Sequence, residues 1–325
     1  MRVLVTGGAG FIGSTFVEMA LTGQFPEISR VLVLDKLTYA GKLANLSNVS
    51  NNPNLEFVQG DICDTELVND LVSKVDAIIN FAAESHVDRS IENSSEFIRT
   101  NVLGTQVLLD AAKIYNLKKF VQVSTDEVYG SIQTGSWDES SPLKPNSPYS
   151  ASKAAADLIA RAYYVTHGVN VSITRCSNNF GPKQDPEKLI PSFVLKLLRG
   201  QSVPIYGDGK NVRDWLYVDE HCKAIYLTLM NGAAGEVYNI GGGVELTNLE
   251  VTYKLLNFLS ASESAITFVE DRFGHDRRYS VNDTKIRSLG HKTSFNFDEK
   301  LKLTVNWYKE NHFKMMMGEN LNHDS

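Results

Sequence analysis

Short apolar runs recur along the first half of the chain, and each stops on glycine, a carboxylate or a polar cluster. Residues 3–5, 31–34, 57–58, 77–83, 120–123 and 171–174 read as strands, and none of them carries a charge. Such runs predict strands buried on both faces, as in a parallel sheet. Between them the apolar positions return with helical spacing. The clearest case is 94–115, where Phe97, Val102, Leu103, Val107, Leu108 and Ala112 mark one stripe. Further helices are expected from Ile12, from Thr65 and over 149–167. Alternating strands and helices predict an α/β fold, a doubly wound parallel sheet of the Rossmann type.

After Cys176 the rhythm loosens. Residues 177–182, 186–191 and 271–279 read as polar loops. Helices are expected over 192–199, up to Met230, over 248–259 and over 297–311 with a frayed tail, and strands over 237–240 and 264–270. This predicts a first domain over 1–176, with contributions from about 212–240, and a smaller C-terminal α/β domain over 177–325.

The first turn carries glycines at Gly7, Gly8, Gly10 and Gly13, which fit G-x-G-x-x-G from Gly8 and G-x-x-G-x-x-G from Gly7 equally well. Either way, a strand–glycine–helix junction lets backbone N–H groups approach a pyrophosphate, and the helix N-terminus adds partial positive charge. The second strand ends in Asp35, about twenty residues beyond Gly13, where a carboxylate holds ribose hydroxyls. A carboxylate there favours NAD over NADP, whose 2′-phosphate would meet a like charge, although Lys36 adjoins it. Asp61, past the third strand, can accept from an adenine amino group or cap the helix from Thr65. The cluster 84–89 follows the fourth strand at the sheet's carboxyl edge, where ligands bind in such folds.

Composition narrows the class. The 325 residues are 42% hydrophobic and 22% charged with net charge −6, which fits a globular enzyme and, lacking a basic stripe, argues against a nucleic-acid partner. Cys63, Cys176 and Cys222 are scattered, without disulfide or metal-ligand spacing. A strand starting at Met1 leaves no room for a signal peptide, and no apolar run spans a bilayer. Together these features predict a cytoplasmic protein with no membrane partner.

Two constellations carry chemistry. Tyr149 and Lys153 stand one helical turn apart, so an ammonium can favour the phenolate and let it take a proton from a sugar hydroxyl. Thr125, after the fifth strand, completes a Thr–Tyr–Lys set. Asp126 and Glu127 are adjacent carboxyls at the same edge. One can be held protonated and the other ionised, as elimination of water requires, or both can be a solvated loop. Arg213, Arg272, Arg277 and Arg278 can fork onto a diphosphate, with Arg277 or Arg278 better suited to plain exposure. His86 and His275 lie in polar motifs and suit either substrate contact or structural hydrogen bonding.

The motifs T-G-G-A-G-F-I-G, D-K-L-T-Y-A-G, F-A-A-E-S-H-V-D-R-S-I, S-T-D-E-V-Y-G, S-P-Y-S-A-S-K, C-S-N-N-F-G-P, P-E-K-L-I-P, R-D-W-L-Y-V and D-R-F-G-H-D-R-R-Y occur in that order. The chain resembles the dTDP-glucose 4,6-dehydratases, extended short-chain dehydrogenase/reductases, over residues 1 to about 310. The resemblance implies an internal redox cycle with bound NAD. Tyr149, Lys153 and Thr125 would serve oxidation at carbon 4, Glu127 would be the base at carbon 5 and Asp126 the acid at carbon 6. It implies NAD contacts from Gly7, Gly10, Phe11, Ile12, Gly13, Asp35, Lys36, Asp61 and Ile62. Phe81, Ala82, Ala83, Ser85, Thr100, Tyr149, Lys153 and Asn179 would add to them. For a dTDP-sugar it implies Ser85, His86, Thr125, Asn178, Lys188, Leu189, Pro204, Ile205, Tyr206, Arg213, Asn248, Asp271, Arg272 and His275. It also implies a homodimer through helices at about 94–115 and 149–167. Phe180 stands where the family commonly has Tyr, Lys183 and Asp185 replace aromatic or His positions, and Lys42 replaces a usual Asn. A nucleotide-sugar 4-epimerase would share the glycine loop, Tyr149 and Lys153 but would not need Asp126 and Glu127. A non-catalytic NAD-sensing scaffold would need no Thr–Tyr–Lys set.

Overall fold

The computed structural model describes residues 1–271 and 275–321. Seven strands form one parallel sheet: β1 (Arg2–Thr6), β2 (Arg30–Asp35), β3 (Leu55–Gln59), β4 (Ala77–Asn80), β5 (Lys119–Thr125), β6 (Val171–Cys176) and, from much later in the chain, Val237–Ile240. β1 lies between β2 and β4, so the chain reverses its direction of winding beside β1. A crevice opens at that point, beyond the strands' carboxyl ends.

Side-chain alternation explains both faces. Val3, Val5, Val31, Val33, Ile79 and Val121 point to one side and pack on helices Phe11–Leu21 and Val218–Asn231. Leu4, Leu32, Leu34, Ile78, Phe120 and Ile173 point to the other, under helices Thr65–Val72, Thr105–Ile114 and Pro148–His167. A period of two sends neighbours to opposite faces, and an uncharged run serves both.

A third core gathers Phe180, Ile190, Phe193, Trp215, Leu255 and Tyr308. Here β7 (Asn178–Phe180), β8 (Val203–Tyr206) and β9 (Val212–Tyr217) precede the last sheet strand, β10 (Val237–Ile240). β11 (Glu245–Thr247) and β12 (Ile266–Val269) follow it. They form two small sheets, β11-β9-β7 and β12-β8.

Several elements differ from the sequence expectation. β4 ends at Asn80, because Phe81–Ala83 leave the ladder to pass beneath Gly7. The 94–115 helix contains a π segment, Ile98–Gly104. Residues 177–182 include β7, and the helix expected from Ser192 starts at Leu189. Pro191 fits that early start, since the first turn has no partner for its missing N–H. The expected strand 264–270 shortens to β12, and the final helix runs Phe297–Leu321, well past 311.

Candidate active site

The crevice beside β1 holds a cleft of about 300 Å³, large enough for part of a drug-sized ligand. Its floor is the glycine turn. Gly7 has φ +67°, and a Cβ there would lie 2.7 Å from Ala82 N. A Cβ on Gly13 would lie 2.3 Å from Gly7 O, while Gly8 instead faces the Val33 side chain. The spacing Gly7–Gly10–Gly13 is therefore the one that meets the cleft, with Phe11 and Ile12 in its wall. The turn is a cradle that side chains would fill, which fits a pyrophosphate against a helix N-terminus.

Asp35 is buried at the end of β2. Its carboxylate accepts from Ala9 N and Leu37 N, both at 2.8 Å. Burial raises its pKa against those two hydrogen bonds. Two N–H bonds leave acceptor capacity for ribose hydroxyls. Asp61 is not the cap of the helix from Thr65; Asp64 is, accepting from Glu66 N and Leu67 N. Asp61 instead pairs with Lys36 at 3.0 Å and Arg99 at 3.2 Å. It lines the cleft with Lys36, Ile62 and Thr100.

The opposite wall rests on a polar belt across three strands. Thr6 Oγ1 donates to Asn80 Oδ1 at 2.6 Å, and Asn80 Nδ2 donates to Gln122 Oε1 at 2.9 Å. Asn101, inside the π segment, accepts from Glu84 N and donates to Glu84 O and Ser152 Oγ. π segments recur at functional sites. This one fixes the loop bearing Ser85 to the helix bearing Tyr149.

That helix starts where its sequence dictates. Ser147 and Ser150 make a reciprocal capping box, and Pro148 occupies the first turn. Tyr149 and Lys153 are both buried on its inner face. Lys153 Nζ donates to Val123 O at 2.7 Å. Burial lowers its pKa, while nearby Asp157 opposes that. The expected lowering of the tyrosine's pKa is absent here. Burial first, then Glu127 and Cys176, hold the Tyr149 phenol well above its ordinary value, and only the Thr125 hydrogen bond pulls down. One of the three donors of the Lys153 ammonium goes to that carbonyl, which leaves two others.

Thr125 ends β5 and caps the one-turn helix Asp126–Tyr129, accepting from Glu127 N at 3.2 Å. Asp126 is 2% exposed. Burial, then the charges of Glu127 and Asp214, raise its carboxyl far above the usual range. Its Oδ1 accepts from Thr125 at 3.3 Å, and among the described residues its Oδ2 has no partner. A carboxyl biased toward its protonated form, with one oxygen so left, lines the same cleft as Glu127, Tyr149 and Lys153.

Asn178, Asn179 and Lys188 line the cleft as well, with Ser85 and Phe81–Ala83. His221, fully buried with its pKa pushed down to about 3 by burial, orients Asn179 through a 2.9 Å contact between Nδ1 and Oδ1. The remaining residues expected around a sugar nucleotide do not line this cleft. His86 caps helix Val87–Glu92 and lies 3.4 Å from Glu187. Leu189 opens a helix, Pro204, Ile205 and Tyr206 lie in β8, and Asn248 opens another helix. Arg213 donates to Asp276 O at 3.0 Å and stacks on Tyr279. His275 contacts Asp271 at 2.7 Å. Arg277 pairs with Asp208 as a plain surface arginine would, and the mostly covered Arg278 pairs with Glu245. Arg272 lies outside the described residues.

Ser124, Cys176, Ser177, Gln184 and Asp185 also line the cleft, and sequence reasoning assigned them no role. Ser124 and Cys176 end strands already recognised, so position at the carboxyl edge was the available signal. Asn101 had none, because a π segment breaks the period that would reveal it.

The sequence model of the family described as GDP-mannose 4,6 dehydratase matches residues 4–304. The chain is 55% identical over 314 residues to dTDP-glucose 4,6-dehydratase of Streptomyces niveus, covering 96% of this chain and 94% of that protein. It is similar to DesIV, the dTDP-glucose 4,6-dehydratase of Streptomyces venezuelae solved with NAD bound. The TM-score is 0.94 at 57% identity, over 96% of this chain and 98% of DesIV. UDP-glucose 4-epimerase of Thermotoga maritima matches with TM-score 0.88 at 31% identity, over 96% and 99%.

Proposed function

The chain belongs to the dTDP-glucose 4,6-dehydratase family of extended short-chain dehydrogenase/reductases, and from that premise we propose that it converts dTDP-glucose to dTDP-4-dehydro-6-deoxy-glucose, a step of deoxysugar biosynthesis. The observation that carries this reading over an epimerase is the buried Asp126 carboxyl with its unused oxygen, beside Glu127. Epimerisation needs no such acid.

The residues divide the work as follows. The glycine cradle and Asp35 would hold NAD, which when bound would supply the hydride acceptor for carbon 4 and the hydride donor for carbon 6. Tyr149 takes the proton of the carbon 4 hydroxyl, with Thr125 and Lys153 stabilising its anion. The new ketone acidifies carbon 5, and Glu127 removes that proton. Asp126 gives its proton to the carbon 6 hydroxyl, which leaves as water. Reduction at carbon 6 and return of a proton to carbon 5 complete the product. Asn178, Lys188 and Ser85 meet the sugar, and Arg213, Tyr206, Asn248 and His275 with Asp271 and Arg272 hold the nucleotide.

The protein works as a homodimer in the cytoplasm. Ile98, Leu103, Leu158 and Val165 stand exposed on two helical segments that pack together, Ile98–Ile114 and Pro148–His167, and this supports pairing through that face. Three free cysteines suit a reducing compartment. Among the described residues no helix is long and apolar enough to cross a membrane.

Incubation with dTDP-glucose, and in parallel with UDP- and GDP-sugars, tests the activity. The expected product has lost one water by mass spectrometry and absorbs in alkali as a 4-keto sugar. A product isomeric with substrate would establish the epimerase instead.

A further inference from the structure

Lys183 does not line the cleft, although Gln184 and Asp185 beside it do. It nevertheless has φ +68°, a conformation that persists in a non-glycine residue only where the surroundings enforce it. Lys183 Nζ donates to Glu18 Oε2 at 2.6 Å and to Asn45 O at 2.9 Å, with its side chain only 14% exposed. The other Glu18 oxygen accepts from Asn48 at 2.9 Å. Asn45 in turn donates to Ala9 O at 2.8 Å. One ammonium thus joins helix Phe11–Leu21, the turn Leu43–Val49 and, through Asn45, the glycine loop.

Four residues on, a second latch forms. Arg89 donates through Nε to Glu187 at 3.0 Å and through Nη2 to the other Glu187 oxygen, and its guanidinium lies 4.1 Å from the centre of the Tyr39 ring. Between the latches, Gln184 and Asp185 face the cleft. The final helix adds Tyr308, whose hydroxyl donates to Gln184 O at 2.5 Å. The segment 183–188 is a strap beside the cleft, tied to the first half of the chain at Lys183, Glu187 and Lys188, whose Nζ donates to Ser85 O at 2.8 Å, and to the final helix at Gln184.

We propose that this strap sets the residence time of bound NAD, with Lys183 and Glu187 as positioning residues that touch neither cofactor nor substrate. The inference rests on the internal redox cycle above. A cycle that lends a hydride and takes it back fails if the dinucleotide leaves midway, so slow release has a purpose here that it lacks in an ordinary dehydrogenase.

The test loads the full chain with NAD, removes free NAD by gel filtration, and follows exchange against fluorescent etheno-NAD. Lys183→Met keeps the aliphatic stem and removes the donors. It is expected to speed exchange about tenfold, equivalent to about 1.4 kcal/mol and within the range of a hydrogen bond to a charged group. Adding Glu187→Gln speeds it further, and Lys183→Arg stays within about threefold of wild type. In steady state the NAD concentration for half-maximal turnover rises while kcat at saturating NAD changes less than about twofold. Thermal unfolding with NAD present identifies the folded variants, and Glu187→Gln alone tests the second latch if Lys183→Met does not fold. Exchange within about twofold of wild type in every folded variant overturns the strap. A wild-type protein that binds no NAD overturns the dinucleotide reading and the strap with it.

Discussion

Strand β5 begins on a buried cation and leads into a buried carboxyl, and its two ends are finished differently. At the start, the Lys119 ammonium donates to Gly232 O at 2.6 Å, Ser172 Oγ at 2.7 Å and Asn170 Oδ1 at 3.2 Å. All three of its protons are used. Past the end, among the described residues, Asp126 Oδ2 has no partner, and neither has, across the cleft, Asn178 Oδ1. Native interiors rarely leave such atoms unpaired. A satisfied buried charge is architecture, whereas an unpaired buried polar atom at the carboxyl edge of a parallel sheet is a group kept for a reacting partner. The contrast implies that substitutions at one end change rate and those at the other change stability.

The largest effect falls on Tyr149→Phe. It removes one oxygen and no shape, so the fold and NAD binding persist. Turnover is expected to drop about 100–10,000-fold, the usual contribution of a general base. Single-turnover absorbance at the NADH band reads the oxidation step directly. Near wild-type turnover would move the base elsewhere.

Next come Asp126→Asn and Glu127→Gln, each expected to lower dehydration about 100-fold or more. Both variants still oxidise carbon 4, so NADH forms in a single turnover and then stalls. Glu127→Gln also fails to exchange the carbon 5 proton with deuterated solvent, whereas Asp126→Asn still exchanges it if proton removal precedes loss of the hydroxyl. Normal dehydration by either variant removes its assigned role.

Asp126 also predicts that stability falls as pH rises. Its folded pKa is raised, chiefly by burial. The folded state therefore keeps a proton that the unfolded chain releases near the ordinary carboxylate value of about 4. Its contribution to stability is complete below that value and is lost as pH rises toward the folded pKa. Asp126→Asn should match wild type in urea unfolding at acid pH and exceed it at neutral pH. Turnover by wild type should fall on the alkaline side, where the acid loses its proton.

The sequence revealed one end of this contrast better than the other. Uncharged runs and the glycine turn located the sheet and its carboxyl edge, because burial on two faces leaves a continuous apolar record. Tyr149, Lys153 and Asp126 were legible because each follows directly from a recognised element. Lys119 was not, since nothing local distinguishes a buried lysine satisfied by Gly232, more than a hundred residues away, from a solvated one. Asn101 and β7 were missed for the same reason: a π segment and a three-residue strand are fixed by tertiary partners, not by periodicity. The nucleotide-side residues were readable only by resemblance, and the structure pairs Arg213 with Asp276 O and His275 with Asp271.

The smallest effect belongs to the start of β5 and is a matter of slope. Burial pushes the Lys119 pKa down to about 8. Between that value and the ordinary lysine value of about 10.4, the unfolded chain holds a proton that the folded chain has released. Stability contributed by this group therefore rises with pH across that window. The gain between pH 8 and 10 is expected to be about 1–2 kcal/mol, discounted because part of the ammonium's surroundings stays solvated. Cysteines act the other way: the partly buried Cys63 and the buried Cys176 are pushed up to about 11 and about 12, chiefly by desolvation, so the unfolded chain ionises first and stability falls. The measurement that isolates Lys119 is thus a difference. Urea midpoints of wild type and Lys119→Met, taken at both pH values, should diverge, with wild type gaining relative to the variant as pH rises. Turnover should be the same in both proteins at each pH. Parallel urea curves would mean that its three hydrogen bonds outweigh its desolvation, and a loss of turnover would mean that the two ends of β5 are not independent.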